Sequence, residues 1–334
     1  MKIVREVLIA CAMLAAAATS AFAADAANLP DMSTAATRPA SADEALKKDQ
    51  VCTRCHDESE TLPILSIYQT PHGVRGDVRT PTCQSCHGES LKHLHGDKNV
   101  QGRAKPDVIF NKHTFPVSSP GERAEACLAC HKGTARTHWD GSQHETAGLA
   151  CNDCHKIHQP VDKVRQKSTQ REVCFTCHKE QRADTHKIST HPLDAGKMAC
   201  SDCHNPHGST GPKLLKKNTV NETCWQCHAD KRGPFLWEHQ PVSEDCTNCH
   251  TPHGSNITPL LKDRPPMLCD DCHDGPHNSQ APYGAGMAGT QGTTVTNPLL
   301  NANNASSSAA GRACMNCHVM VHGSNSPAGA LLHR

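Results

Sequence analysis

Residues 200–209 read CSDCHNPHGS, and residues 246–255 repeat them as CTNCHTPHGS. Each stretch combines two cysteines, one histidine directly after the second cysteine, and another histidine three residues later. Cys200, Cys203 and His204 form one of ten CxxCH units in the chain. These units contain all of the 21 cysteines except Cys11, which lies in the N-terminal segment. Paired cysteines alone are weak signals, so it is the repetition with a fixed histidine that carries the interpretation.

CxxCH is the attachment sequence of c-type haem, in which two thiols bind the porphyrin and the histidine binds the iron. The sequence therefore predicts ten covalently attached haems c. The predicted attachment residues are Cys52, Cys55, Cys83, Cys86, Cys127, Cys130, Cys151, Cys154, Cys174, Cys177, Cys200, Cys203, Cys224, Cys227, Cys246, Cys249, Cys269, Cys272, Cys314 and Cys317. The predicted proximal iron ligands are His56, His87, His131, His155, His178, His204, His228, His250, His273 and His318.

Other uses of paired cysteines explain the pattern less well. Zinc ribbons also pair CxxC units, but they need no histidine directly after each one. Redox-active CxxC motifs lack that requirement too, and the disulfides that exported proteins favour need no fixed spacing. A zinc or metal-storage scaffold and a disulfide-bonded scaffold remain as alternatives to haem attachment.

The composition requires a source of apolar mass other than side chains. Hydrophobic residues make up 36% of the 334 residues and aromatic residues 3%, which is little for an ordinary core. We expect a multihaem cytochrome c fold in which the haems form the core of an elongated, coil-rich chain with short α-helices and little or no β-strand. Short helices carrying CxxC are expected at residues 123–132, 171–182 and 221–232. The apoprotein should not fold, because burial of the porphyrins supplies the driving force.

The N-terminal segment has the features of a secretory signal peptide over residues 1–23. Lys2 and Arg5 precede an apolar run, which ends in Ala-Phe-Ala at 21–23. A lipobox ending at Cys11 is the alternative, although the apolar run before it is short. No later run approaches the roughly 20 apolar residues of a spanning helix, so we expect an exported, soluble mature protein.

The motifs divide the rest of the chain. Residues 24–50 are predicted to be a flexible lead, residues 51–188 a first pentahaem half, and residues 189–334 a second. Most motif-to-motif spacings are nearly equal, as in a repeat array in which each unit contacts its neighbours. With 34 Lys and Arg against 33 Asp and Glu, the basic residues are interpreted as partners of haem propionates and as solvated surface, so no nucleic-acid partner is expected.

The histidines outside the motifs are numerous enough to complete the coordination of every iron. The chain has 25 histidines, so fifteen lie outside the ten motifs, and we expect bis-histidine coordination throughout. His207 follows His204 by three residues, which is too close to reach the opposite face of the same iron, so it should bind the iron of a neighbouring haem. Spacings of three or four residues recur at His158, His253, His277 and His322.

The remaining distal candidates are His72, His93, His144, His191 and His239. Three of them have a nearby competitor. His95 competes with His93, His138 with His144, and His186 with His191. The last two histidines, His113 and His333, are assigned to the surface.

The second half of the chain resembles the MtrA/DmsE-type periplasmic decahaem cytochromes, whose relatives include MtoA and PioA. The similar stretches are HPLDAGKMACSDCHNPHGS, NETCWQCHADKRGPFLWEHQPVSEDCTNCHTPHGS and GRACMNCHVMVHGSNSPAGALLHR. The first half is similar in motif order and in CHGESLKH, WDGSQHE and CHKIH. In the family pattern, the distal ligands fall on His72, His93, His144, His158, His191, His207, His239, His253, His277 and His322.

The resemblance also implies a location and partners. It implies a haem wire partly sheathed by an outer-membrane β-barrel porin, in a protein of the periplasm that associates with the outer membrane. Its electron partners would be a surface multihaem cytochrome and periplasmic or inner-membrane cytochromes or quinol-linked carriers. The family contains members that reduce metals or sulfoxides and members that oxidise iron(II), so both directions of transfer fit.

The function favoured by these features is an electron conduit without catalytic residues. Six-coordinate irons offer no substrate site, and their axial ligands largely set the reduction potential. A multihaem reductase, such as a nitrite reductase, would need an open haem face or a lysine in place of a motif histidine, whereas all ten motifs end in histidine. A free periplasmic electron shuttle is the other alternative.

Overall fold

The computed structural model of the chain describes residues 42–60, 62–73, 80–110, 116–273, 314–327 and 329–333. The predicted signal peptide lies outside these ranges, as do His113 and His277. The lead predicted for residues 24–50 is helical over its last nine residues, within Ala42–Thr53. Asp49 in that helix is buried, and it accepts hydrogen bonds from the Tyr68 hydroxyl and from the Cys83 N–H, both at 3.0 Å.

Short helices joined by coil make up the described chain. The α-helices are Ala42–Thr53, Cys83–His87, Leu91–His95, Pro120–Leu128, Gln143–Thr146, Cys151–Cys154, Lys167–Cys174, Lys179–Asp184, Cys200–Cys203, Val220–Cys224, Gln240–Glu244 and Met267–Asp270. The 3₁₀-helices are Ile64–Gln69, Thr134–Arg136, Lys163–Arg165, Pro212–Leu214, Ala229–Lys231, Cys246–Asn248, Cys314–Asn316 and Gly329–Leu331. Within these ranges the β-type contacts are isolated bridges, such as His204 with Leu215 and His250 with Leu261. The expected coil-rich chain with short helices and little or no β-strand is confirmed.

Capping boxes start two of the helices that lead into a motif. Ser119 Oγ accepts from the Glu122 N–H while the Glu122 carboxylate accepts from the Ser119 N–H. Thr219 and Glu222 repeat this exchange before Val220–Cys224. Each exchange satisfies two backbone donors that a helix start would otherwise leave unpaired. The polar S/T-x-x-E pattern therefore sets where these helices begin.

The three helices that were predicted to carry a CxxC are shorter than the sequence predicted. Lys167–Cys174 and Val220–Cys224 end at the first cysteine of their motif, and Pro120–Leu128 ends one residue after it. The expectation that each helix carries the whole CxxC was therefore wrong. The motif histidine leaves helical geometry, with φ −84° and ψ 70° at His178 and φ −98° and ψ 49° at His228. In these three motifs the helix therefore ends before the histidine.

Few apolar side chains are buried in the described residues. The buried hydrophobic residues there are Ala104, Ala124, Trp139, Ala150, Ala199 and Leu261. Four buried polar residues, in contrast, occupy one recurring position, three or four residues before the first cysteine of a motif. They are Asp49, Arg123, Gln170 and Asn221.

Each of these buried polar side chains joins its own motif to the one that follows it. Gln170 Oε1 accepts from the Ser201 N–H at 2.9 Å, and Asn221 Oδ1 accepts from the Cys246 N–H at 2.7 Å. Arg123 donates to Asn152 Oδ1 at 2.8 Å, within the following motif. The motifs are thus held in consecutive pairs by polar contacts rather than by an apolar core. No helix in the described part of the chain has the length and apolar character required to cross a membrane.

Candidate haem-attachment sites

Each CxxCH unit forms a single helical turn. We number the ten units in chain order, from motif 1 at residues 52–56 to motif 10 at residues 314–318. The motif histidine donates its backbone N–H to the carbonyl of the first cysteine at 2.9–3.1 Å in nine motifs, and the remaining motif, Cys83–His87, is an α-helix throughout. The turn brings the two thiols and the histidine of each motif to one side of the backbone.

The first cysteines of consecutive motifs meet in pairs. Their thiols are hydrogen-bonded in five combinations: Cys52 with Cys83, Cys127 with Cys151, Cys174 with Cys200, Cys224 with Cys246, and Cys269 with Cys314. Burial, together with the neighbouring Asp49 carboxylate, raises the pKa of the Cys83 thiol to about 12. These contacts join motifs 1 and 2, 3 and 4, 5 and 6, 7 and 8, and 9 and 10.

The second cysteines make the complementary connections. Burial raises the pKa of the thiols of Cys86, Cys154, Cys203 and Cys249, and the second cysteine of the following motif raises each further. Those neighbours are Cys130, Cys177, Cys227 and Cys272. This proximity links motifs 2 and 3, 4 and 5, 6 and 7, and 8 and 9. Together the two sets of cysteines arrange the motifs in one series, in the order of the chain.

Nine motif histidines each face a predicted distal histidine. The ring centres in these pairs are 5.9–6.4 Å apart. In motif order the pairs are His56 with His93, His87 with His158, His131 with His72, His155 with His207, His178 with His144, His204 with His253, His228 with His191, His250 with His322, and His273 with His239. For motif 10, the predicted partner His277 lies outside the described residues.

Closely spaced histidines serve different motifs. His207 lies beside His155 of motif 4, although it follows the histidine of motif 6, and His253 likewise lies beside His204. His158 and His322 each lie beside the histidine two motifs earlier as well, at His87 and His250. The sequence predicted that such a histidine reaches another motif. In the structure, that motif is the one two motifs earlier in the chain.

The competing histidines are exposed and take part in none of the nine pairs. His95, His138 and His186 are exposed, whereas His93, His144 and His191 are half-buried, each in one of the nine pairs. His333, which was expected at the surface, is instead partly buried, with its ring centre 4.3 Å from that of His318. The His318 Nδ1 donates to the Leu331 carbonyl at 2.6 Å, so the C-terminal residues fold back onto motif 10 and carry His333 with them.

Backbone carbonyls orient several of these rings, and the sequence pattern did not reveal them. His144, His191 and His239 each donate Nδ1–H to the carbonyl of the residue directly before another distal histidine. The acceptors are Pro206, Pro252 and Val321, at 2.7–2.9 Å. With Nδ1 so engaged, Nε2 is the nitrogen left for a metal.

Burial lowers the pKa of several of the paired rings. It lowers the pKa of His207 to about 4, helped by the nearby His155 ring. Burial likewise lowers the pKa of His87, His204 and His253. A metal binds the neutral form of imidazole, so this environment favours ligation over protonation at neutral pH.

Comparisons with known proteins show which family the chain belongs to. A family model for doubled CXXCH motifs matches residues 191–233 and 239–278, and a model for NrfB-like c-type cytochrome proteins matches residues 83–170. The chain is also 39% identical over 287 residues to multihaem cytochrome MtrA of Shewanella baltica (strain OS185), across 85% of this chain and 80% of that protein. The chain belongs to the MtrA family of multihaem cytochromes. As an MtrA-family cytochrome it carries haem c on its CxxCH motifs and acts as an electron carrier.

The described residues of this MtrA-family chain fit haem c in two respects. Two thiols and a histidine stand on one helical turn in every motif. Two imidazoles on opposite sides of one metal, with metal–nitrogen bonds of about 2 Å, have ring centres about 6 Å apart, which is the spacing of the nine pairs. In the described ranges, no three His, Cys, Asp or Glu side chains converge on a common point.

Proposed function

We propose that the chain is a decahaem electron conduit, held in a porin–cytochrome complex that carries electrons across the periplasm and outer membrane. Each of the ten CxxCH motifs attaches one haem c through its two cysteines. The haems supply the one-electron chemistry of the series. The chain fixes their order, provides their axial ligands and sets their electrostatic surroundings.

The proposed ligation is bis-histidine at every iron. The motif histidine binds one face, and the distal histidine beside it binds the other. The proposed distal ligands are His72, His93, His144, His158, His191, His207, His239, His253, His277 and His322. Pairs with ring centres 5.9–6.4 Å apart support nine of these assignments, and the spacing of His277 after His273 supports the tenth.

The observation that carries the proposal is the order of the cysteine contacts. Each inner motif lies next to the preceding one through one of its cysteines and next to the following one through the other, as at Cys151 and Cys154 of motif 4, respectively. This is the contact pattern of a line, whereas a cluster would bring distant motifs together. A linear series of ten suits the crossing of a bilayer of about 40–45 Å including head groups, and a barrel with a polar lumen could enclose a chain of this composition.

The proposed setting follows from the same considerations. The signal peptide predicted at residues 1–23 would deliver the chain to the periplasm, where it associates with the outer membrane through the porin. Its electron partners would be a surface multihaem cytochrome on one side and periplasmic or inner-membrane, quinol-linked cytochromes on the other. The reduction potentials of these partners determine whether the conduit serves metal reduction or iron(II) oxidation.

Reconstitution tests the conduit directly. The holoprotein is first assayed for iron per chain, with ten expected. It is then placed with its porin in liposomes that enclose a redox dye, and an external reductant too large to enter is added. Reduction of the dye with the complex, but with neither component alone, is the expected result. A globular shape by X-ray scattering together with no dye reduction would leave the free periplasmic shuttle as the function.

Carbon monoxide distinguishes the conduit from a multihaem reductase. With all irons ligated by two histidines, carbon monoxide should scarcely change the spectrum of the reduced protein. Stoichiometric binding at one haem per chain would identify an open coordination position and favour the reductase.

A further inference from the structure

Among the even-numbered motifs, one proximal histidine differs from its counterparts in the group that accepts its Nδ1 hydrogen bond. In the even-numbered motifs 2, 6, 8 and 10, the motif histidine donates Nδ1–H to a backbone carbonyl at 2.6–3.0 Å. The acceptors are Val108, Lys213, Pro259 and Leu331. In motif 4, His155 Nδ1 instead donates to a carboxylate oxygen, Oδ2 of Asp162, at 2.7 Å.

The Asp162 carboxylate is held in place from both sides. Its other oxygen, Oδ1, accepts from the Lys156 N–H at 3.4 Å, and its side chain is 16% exposed beside a His155 ring that is 30% exposed. Another carboxylate contact of this kind within the described residues is Glu60 with His56 of motif 1, which is longer, at 3.1 Å, and more exposed, at 37% and 34%. Water and salt screen the exposed contact more strongly, so motif 4 has the stronger of the two.

A carboxylate acceptor changes what its histidine does to a bound metal. It accepts the Nδ1 proton more strongly than a carbonyl, which makes the imidazole more basic, and tuning of this kind through a ligand's second hydrogen bond is general in metal sites. A more basic imidazole and a nearby negative charge both favour the oxidised, more positive iron. The other even-numbered motifs lack this influence because their histidines face neutral carbonyls.

We propose that Asp162 is a tuning residue, positioned on His155, that gives the haem of motif 4 a lower reduction potential than that of motif 6. This rests on the proposed ligation of these motifs by His155 with His207 and by His204 with His253. An electron would then be less stable at motif 4 than at motif 6. Transfer from motif 6 towards motif 4 would be uphill and transfer the other way downhill, so Asp162 would help to set the rate of the conduit.

The test is a potentiometric titration of the purified, soluble holoprotein, followed by the electron paramagnetic resonance signals of the oxidised haems. Two ligand variants assign the components. His207→Met alters the haem of motif 4, and His253→Met alters that of motif 6. We expect the component altered by His207→Met to titrate at a lower potential in the wild type than the component altered by His253→Met. The opposite order would overturn the proposal.

Asp162→Asn then tests the residue itself. The asparagine retains an acceptor oxygen but removes the charge, so the motif 4 component should move to higher potential while the motif 6 component stays. Glu172→Gln is the matched control, since it removes an exposed carboxylate that pairs with Lys163 and has no contact with His155. Equal shifts in the two variants would reduce the effect to bulk charge and overturn the proposal, as would no shift in Asp162→Asn.

Iron per chain is measured in every variant, so that a lost haem is not mistaken for a shifted one. If Asp162→Asn fails to retain its haem, the wild-type order established by the two methionine variants still decides the proposal. Because all measurements use the protein without its porin, failure of dye reduction in liposomes would leave this result standing. If His207→Met altered no haem of motif 4, the proposed ligation itself would be wrong.

Discussion

At the scale of single residues, the repeated PHG of the sequence does more than supply a histidine ligand, because its proline carbonyl also orients a second distal histidine. In Pro206-His207-Gly208, the proline carbonyl accepts from His144 Nδ1, and the histidine ring faces His155. The glycine has φ +108°, and a Cβ there would lie 1.9 Å from the carbonyl oxygen of His138. Only a residue without a side chain can approach the neighbouring backbone so closely. The glycine is therefore what allows one segment to serve the histidines of two motifs.

Gly208→Ala should accordingly displace His207. The left-handed conformation costs alanine about 1–2 kcal/mol, and the contact with the His138 carbonyl adds about 1–3 kcal/mol of overpacking. We expect a total loss of unfolding free energy of about 3 kcal/mol, measured by denaturant titration. The absorption spectrum of the folded protein should show altered low-spin bands at one haem.

Gly141→Ala is the control for backbone conformation. Gly141 also has a positive φ, +77°, but a Cβ there meets no atom within 4 Å. This variant should lose only the about 1–2 kcal/mol of unfolding free energy that the left-handed conformation costs alanine, and it should keep its haem spectrum. Equal losses in the two variants would mean that the close approach at Gly208 is unimportant.

The residues of the sites could be predicted from the sequence more completely than their pairing. CxxCH identifies the attachment residues because the thioether chemistry requires that order. The short spacing of His207 after His204 excluded a shared iron, but it could not select His155, since that depends on how the motifs pack. The carbonyls that orient the rings leave no trace in the sequence, because every residue has one. Asp162 carried a faint signal, as an acid seven residues after His155, and its meaning needs the fold.

At the scale of elements, the unit that the sequence did not reveal is the pair of motifs. Asp49, Gln170 and Asn221 accept from a backbone N–H of the next motif, and Arg123, at the corresponding position, donates to the Asn152 side chain of the next motif. The residues differ in charge and in chemistry, so no pattern of residue types marks them. The repeat array was predictable from spacing, whereas its division into pairs depends on which side chain reaches a particular backbone group.

Asn221→Ala should weaken one pair of motifs selectively. Asn221 accepts from the Cys246 N–H and donates to the carbonyls of Val242 and Ser243. Removing the side chain leaves a half-buried N–H without its acceptor, at a cost of about 1–3 kcal/mol. We expect a lower midpoint of thermal unfolding and disturbed spectra of the haems on motifs 7 and 8.

The neighbouring Asn218 offers a matched control. It is exposed, and its side chain bonds to Thr210 at the surface. Asn218→Ala should change the midpoint little, since surface substitutions generally cost about 0.5 kcal/mol or less. A midpoint as low as that of Asn221→Ala would show that burial of the bond is not what matters.

At the scale of the whole molecule, the scarcity of buried apolar side chains makes folding depend on the haems. The buried hydrophobic residues of the described ranges include four alanines and two larger residues, Trp139 and Leu261. Burial of a large side chain contributes about 1.5–3 kcal/mol, whereas ordering each residue costs about 1–2 kcal/mol of backbone entropy. Burial of these side chains alone therefore cannot offset the entropic cost of ordering the chain.

A chain produced without haem attachment should be unfolded. We expect a circular dichroism spectrum of disordered chain, no cooperative thermal transition, and rapid cleavage by protease, in contrast to the holoprotein. The comparison needs no mutation, since expression without the attachment machinery supplies the apoprotein. A cooperative transition in that sample would show that the polypeptide forms a core by itself, against the prediction that the haems form it.

The linear order of the motifs makes its own prediction for the conduit. In the described residues, motif 5 meets motif 4 through Cys177 and motif 6 through Cys174, so the proposed path has no way around it. Replacing both cysteines by alanine should leave nine haems per chain and abolish dye reduction in porin-containing liposomes, although both ends of the chain can still be reduced from their own sides. The matching double replacement of Cys52 and Cys55 removes a haem from the end of the series, so dye reduction should continue at a lower rate. If the motif 5 variant still reduced the dye as fast as the motif 1 variant, electrons would be passing between motifs that are not neighbours, and the series would be branched.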